Sequence, residues 1–104
     1  MKPLALFVVA AAASLSSAAA LAADAQQLLK DKACLACHTL DKKLVGPAYK
    51  EVAAKYRSRK DAEAYLAKKI KEGSTGVWGQ VPMPPNAVSD ADAQTLAKYI
   101  RALK

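Results

Sequence analysis

Cys34-Leu35-Ala36-Cys37-His38 is the stretch that decides how this chain is read. Two thiols three positions apart, followed at once by an imidazole, form the attachment motif of a covalently bound haem. The thiols add across two vinyl groups as thioethers, and the intervening pair of residues sets the reach between them. His38 is then held beneath the iron, where an imidazole nitrogen can bind it. The chain has 2 cysteines and 1 histidine in all, so the motif uses every one of them. The cysteine pair alone would also suit a dithiol redox centre or half of a zinc site. Zinc asks for about four ligands, and Cys34, Cys37 and His38 are the only obvious soft donors for one. A thioredoxin-like centre wants a strand before the motif and a βαβ pattern around it, and the sequence shows neither.

The first residues read as an export signal. Lys2 gives a short positive start, Leu4 to Ala13 is apolar, and Ser14, Ser16 and Ser17 interrupt the run. Ala20-Leu21-Ala22 then supplies small residues where a signal peptidase reads them. Residues 1–22 are therefore expected to be a secretory signal, cut after Ala22 or one residue later, leaving residues 23–104 as one domain. The competing reading is an uncleaved anchor, but the alanines and serines are weakly hydrophobic for a membrane span. No twin arginine is present, so the chain is expected to cross unfolded and receive its haem outside the cytoplasm. A periplasmic location follows.

A domain this small buries little apolar surface and usually needs a staple. Covalent haem would supply both the staple and an apolar plate to pack around. Lysine and arginine outnumber aspartate and glutamate by 16 to 9, a formal net charge of +7. Such a balance points to partners with acidic surfaces. Nucleic acid is disfavoured, because the lysines are spread over several segments and the expected location is exported.

The periodicity is helical. Asp24 with Gln27 makes a capping box, and Leu28 and Leu29 face inward on a short helix leading to the motif. Asp41 to Pro47 is a loop. From about Ala48 a second helix carries Tyr49, Val52, Ala53 and Tyr56 on one face. Asp61 is placed to cap a third, with Ala62, Leu66 and Ile70 inward and Gly73 at its end. Gly73, Gly76, Gly79, Pro82, Pro84 and Pro85 keep residues 73–88 irregular. Ser89, three residues before Asp92, opens a last helix with Ala93, Leu96, Ala97, Ile100 and Leu103 on one face. No repeat and no strand pattern is visible.

The irregular stretch holds the second half of the site. Met83 is the only methionine left once the signal is removed, and it lies in Val81-Pro82-Met83-Pro84-Pro85. A thioether is a soft, neutral ligand suited to iron opposite an imidazole. The flanking prolines fix φ, so the loop presents the sulfur with little freedom to lose. A lone methionine is more often core filler, but filler normally sits on a helix face rather than among prolines.

With these residues in place, the chain resembles the small bacterial class I cytochromes c of the c-551 type over essentially all of residues 23–104. The markers are the haem pentapeptide, Val45-Gly46-Pro47-Ala48-Tyr49, Gly76-Val77-Trp78-Gly79, Val81-Pro82-Met83-Pro84-Pro85-Asn86 and the closing helix. The resemblance implies an all-α class I cytochrome c fold, about four short helices wrapped around one haem c, with a long Gly/Pro-rich loop carrying the methionine. It implies thioethers at Cys34 and Cys37 and axial ligands His38 and Met83. The Pro47 carbonyl would accept a hydrogen bond from the His38 ring. Asn86 would donate to the Met83 sulfur or its surroundings, and Trp78 and Lys69 would hydrogen-bond a haem propionate. For each of these four a plainer role stands beside it: a turn at Pro47, core packing at Trp78, solvation at Lys69, and a satisfied turn at Asn86.

A ligand set of His38 and Met83 leaves no coordination position for a substrate, so the expected function is one-electron transfer between respiratory redox proteins, by a monomer that is not an enzyme. Stable membrane insertion is not expected once the signal is cut. The alternatives are a thiol–disulfide oxidoreductase using the cysteine pair, and a haem protein with an open distal position for ligand binding or sensing. Lys32, Lys42 and Lys43 are the candidates for a basic rim around the exit edge of the haem; their plainer role is solubility.

Overall fold

The structure is a computed structural model and describes residues 12–104. Lys2 and most of the apolar run from Leu4, which carry much of the expected export signal, lie outside the described residues. Helix α1 (Ala12–Asp31) is followed by a 3-10 turn at Cys34–Ala36, then α2 (Tyr49–Tyr56), α3 (Ala62–Glu72) and α4 (Asp90–Arg101). Among the described residues no strand forms; one isolated antiparallel bridge joins Ser74 to Met83. The all-α reading therefore holds, and residues 73–88 are irregular apart from that bridge.

The first helix is longer than the periodicity implied. It runs 20 residues and passes straight through Asp24, which caps nothing. The alanine-rich residues ahead of Asp24 are the best helix formers, so with that segment present the helix has no reason to start there. Gln27 donates to Asp31 at 2.9 Å instead of reaching back. The expected cleavage point after Ala22 lies inside this helix. No helix among the described residues is long and apolar enough to cross a membrane.

Helix α4 is the centre of the packing and touches α1, α2 and α3. The Ser89 hydroxyl accepts the Asp92 backbone N–H at 3.0 Å, as the capping pattern predicts. Asp90 and Asp92 in its first turn and Lys98 and Arg101 in its last complement the helix dipole. Its inner face, Ala93, Leu96, Ala97 and Ile100, is buried against Ala62, Leu66, Ala67 and Ile70 of α3. The alanines let the two backbones approach while Leu96 and Leu66 fill the seam; truncating either leucine would cost about 2–5 kcal/mol. The ion pairs Lys71–Asp90 and Arg101–Glu63 cross the same seam at the surface, where each contributes little.

Asp61 does sit at the first cap position of α3, yet its side chain makes no cap bond. Arg59 takes the carboxylate in a two-pronged contact, and a charged fork outcompetes one backbone N–H. Gly73 ends α3 with φ 85°, a conformation that strains any residue carrying a Cβ.

Candidate functional site

The turn at Cys34–Ala36 follows α1 with only a short joint, and Ala33 makes the corner at φ 60°, ψ 24°. Within the turn, Cys37 and His38 both donate backbone N–H groups to the Cys34 carbonyl at 3.1 Å. That winding brings both sulfurs and the imidazole to one wall of a cavity of about 420 Å³. A volume of this size is in the range of small-molecule and cofactor sites. Leu29 of α1, Val52 of α2, Leu66 and Ile70 of α3 and Leu96 of α4 supply apolar walls, so every helix contributes. Ser74, Trp78, Met83 and Asn86 of the irregular stretch line the same cavity.

His38 is buried, and its Nδ1 lies 2.8 Å from the Pro47 carbonyl oxygen. A carbonyl can only accept, so Nδ1 carries the proton. That leaves Nε2 as the ring nitrogen that can face a metal. Gly46 lies against the same ring: a Cβ there would meet Cε1 at 2.6 Å. Any side chain at 46 would displace the imidazole.

Both cysteines are half-buried and not joined in a disulfide. Burial pushes the Cys34 thiol above its ordinary range, partly offset by the Tyr49 hydroxyl. Catalytic dithiols have the opposite shift, because the thiolate is their nucleophile. Among the described residues no strand precedes the motif, which disfavours the oxidoreductase alternative.

Met83 is half-buried and pinned through its backbone. Its N–H donates to the Ser74 carbonyl at 2.8 Å, and its carbonyl accepts from the Ser74 N–H at 3.0 Å. A Cβ on Gly73 would lie 2.5 Å from the Met83 carbonyl oxygen, so glycine is needed there for room as well as for φ.

Pro47, Lys69, Trp78 and Asn86 all line the cavity. The Asn86 side-chain amide donates to the Ile70 carbonyl at 2.9 Å and to the Pro84 carbonyl at 3.4 Å. It thus ties the methionine loop to the end of α3, and the expected bond to the sulfur itself is not among its contacts; a carbonyl is the stronger acceptor. Trp78 is 36% exposed and meets Tyr56 edge-on, with ring centroids 6.3 Å apart. Burial therefore does not force its N–H to find a protein partner. The ammonium of Lys69 lies 5.4 Å from the Tyr65 ring centre.

Sequence reasoning placed Tyr49 on a helix face and left its role there. In the structure it stacks on His38, ring centroids 4.6 Å apart and planes 19° from parallel. Ser74 was also missed, since a backbone bridge leaves no trace in side-chain chemistry. Gly46 was legible only as part of a marker; a glycine directly before the proline that holds the imidazole was the signal of a close approach.

The cavity's donors suit one group. Two cysteine sulfurs, one imidazole and one thioether around an apolar chamber fit an apolar macrocycle carrying a metal. Comparisons with known proteins agree. The cytochrome c family profile matches residues 22–104. The chain is 56% identical over 104 residues to cytochrome c-551 of Pseudomonas aeruginosa, with all of both chains covered. It is 57% identical over 95 residues to cytochrome c-552 of Nitrosomonas europaea, covering 90% of this chain and 91% of the other. The crystal structure of the wild-type Nitrosomonas europaea cytochrome c552 superposes with a TM-score of 0.74 at 59% identity, over 76% of this chain and 99% of that one.

Proposed function

The chain belongs to the cytochrome c family, and on that premise we propose that it is a periplasmic electron carrier whose iron is held by His38 and Met83. As a cytochrome c it carries one covalently bound haem c and transfers electrons. Cys34 and Cys37 are the thioether positions, and residues 1–22 are the export signal removed on the way out. The observation that carries the proposal is the convergence of four donor side chains, Cys34, Cys37, His38 and Met83, on one apolar cavity.

Bound there, the haem supplies a one-electron iron centre. The chain's own residues tune and shield it. The Pro47 carbonyl holds the proton on Nδ1, which keeps Nε2 directed at the metal and raises its basicity. The Met83 sulfur is neutral and soft; paired with imidazole it favours the reduced state. The apolar walls push the same way, because they disfavour net positive charge. With His38 and Met83 both holding the iron, no position would remain for a substrate, so the chain would act as a carrier rather than an enzyme. Lys69 and Trp78, which line the cavity, would hydrogen-bond a propionate, and Asn86 steadies the loop that presents Met83.

The partner is a redox protein with an acidic docking surface. Lys32 and Lys43 border the cavity, with Lys42 exposed beside them. Leu35, Leu44, Val45 and Val81 are 41–65% exposed, and these would supply the apolar contact area that the lysines rim. Such a rim speeds encounter more than it tightens the complex. The second-order rate with an acidic redox partner is expected to fall as salt shortens the Debye length from roughly 30 to 10 Å. That slope should be shallower in Lys42→Glu/Lys43→Glu; an unchanged slope would place the rim elsewhere.

The test of the whole proposal is the product isolated from the periplasmic fraction. Its mass should equal the chain from Ala23 or Asp24 onward plus one haem. The pyridine haemochrome should show both vinyl groups saturated, and the ferric protein should show a sulfur-to-iron charge-transfer band. A non-covalent haem or none, or a ferric spectrum without that band, would overturn it.

A further inference from the structure

A single hydrogen bond fixes where an imidazole points but not the plane in which it lies. The contact from His38 Nδ1 to the Pro47 carbonyl is such a bond, 2.8 Å long. With its Cβ tethered to the backbone, the ring keeps some freedom to tilt about that contact. Fixing the plane takes a second contact, on the face of the ring. Tyr49 makes it, with centroids 4.6 Å apart and planes 19° from parallel.

Tyr49 is itself held firmly. It is the first residue of α2 and 5% exposed, packed in the hydrophobic core. Its backbone N–H donates to the Thr39 carbonyl at 2.9 Å, and the next N–H, of Lys50, donates to the Leu40 carbonyl at 3.1 Å. A third bond joins the Gly46 N–H to the Cys37 carbonyl at 2.7 Å. The residues on both sides of His38 are thus laced to the start of α2, and the tyrosine ring has no route to drift relative to the imidazole.

We propose that Tyr49 is a positioning residue that sets the plane of the His38 imidazole, and through it the orientation of the axial ligand at the iron. The proposal presupposes His38 as the iron ligand. The orientation of a ligand plane decides how unpaired spin is distributed over a ferric haem. A ring free to swing would also add reorganisation to each electron transfer. A flat, buried partner removes that freedom at little further entropic cost, because Tyr49 is already fixed by its helix and core.

A plainer role for Tyr49 is bulk in the core. Two variants separate the roles. Tyr49→Phe keeps the flat ring and loses only the hydroxyl. Tyr49→Leu keeps an apolar filler but has no face to stack. The readouts are the g-values of the ferric protein by electron paramagnetic resonance and the order and spread of its haem methyl resonances by proton NMR. Tyr49→Phe is expected to match the parent in both. Tyr49→Leu is expected to shift the largest g-value and to compress or reorder the methyl resonances, while covalent haem content and the sulfur-to-iron band stay as in the parent. If Tyr49→Leu does not accumulate with haem, Tyr49→Met, a flexible filler without a flat face, is read in the same way. Parent-like g-values and methyl order in the ring-less variant would overturn the positioning role. A parent protein without covalent haem would instead remove its premise, an outcome seen before any variant is compared.

Discussion

His38 and Met83 line the same cavity, yet they are held by different means. On the histidine side the side chain itself is caged: a carbonyl on one nitrogen, a buried tyrosine against its face, and a glycine where a methyl would collide with it. On the methionine side only the backbone is held, by the paired bonds to Ser74 and by the Asn86 amide that ties the loop to α3. The first arrangement draws on α2 and the core; the second on an irregular segment with no charged residue between positions 74 and 86. One side is therefore part of the fold, and the other is attached to it. The stability of the domain should depend on the histidine side and the redox character on the methionine side.

The largest expected effect tests the first half of that statement. Removing both attachment points in Cys34→Ala/Cys37→Ala should leave a mostly unfolded chain. Helices of 8 to 12 residues, such as α2, α3 and α4, are marginal alone, and without the haem their buried faces surround a void. Circular dichroism of the residue 23–104 domain is the measurement. A cooperative thermal transition with near-native helix content would show that the helices carry the fold without the cofactor.

Met83→Ala tests the second half. The domain should stay folded with haem attached, because the histidine side is untouched. The reduction potential should fall by a substantial part of the roughly 0.8 V range open to axial ligation. The sulfur-to-iron band should vanish, and cyanide or carbon monoxide should gain access. Retention of the parent potential and spectrum would exclude Met83 as the ligand.

Two glycines allow the sides to be compared by the same chemical change. Gly73→Ala puts a methyl 2.5 Å from the Met83 carbonyl oxygen, at a φ of 85°. Neither the backbone oxygen nor the φ can yield cheaply, and a φ of 85° with ψ −178°, a region essentially confined to glycine, costs about 1–3 kcal/mol. The loop should shift and the charge-transfer band weaken. Gly46→Ala meets the imidazole at 2.6 Å from Cε1. A ring can tilt, so the band should persist while the bond to Pro47 lengthens and thermal stability falls. Absorption and melting curves for the pair check the contrast; loss of the band in Gly46→Ala alone would reverse it.

This asymmetry also governs how much the sequence revealed. The motif Cys34-Leu35-Ala36-Cys37-His38 and the proline-flanked Met83 were legible as candidate donors because donor chemistry lives in side chains, and both line the cavity. The inner faces of α2, α3 and α4 were legible from period, and the buried sets match it, from Tyr49, Val52 and Ala53 to Leu96 and Ile100. The Ser89 cap was legible because a hydroxyl three residues before an acid has few other uses. What the sequence hid were contacts set by tertiary geometry. The stacking of Tyr49 depends on where α2 begins relative to His38. The bridge at Ser74 is backbone only. Asp61 at the start of α3 and Asp24 in α1 both looked like caps, but Arg59 captured the first and helix-forming alanines upstream overrode the second.

The smallest expected effect lies at the joint between α1 and the attachment turn. On the methionine side each positive φ, at Gly73, Gly76 and Gly79, is given to a glycine. On the histidine side the single positive φ, 60°, falls on Ala33. An alanine in that conformation sets its Cβ against the following carbonyl, at about 1–2 kcal/mol. Ala33→Gly removes the strain but adds about 0.4–1 kcal/mol of freedom to the unfolded chain. The balance should favour the variant by up to about 1.6 kcal/mol. In a domain of this size 1 kcal/mol moves Tm by roughly 4–8 °C, so a rise of a few degrees is expected in the holo-protein. The reduction potential and the charge-transfer band should not move, since the change touches only the side that carries the fold. An unchanged or lower Tm would mean that the turn holds Ala33 without strain. A shifted potential would mean that the two sides of the cavity are mechanically linked, and the division between them would fail.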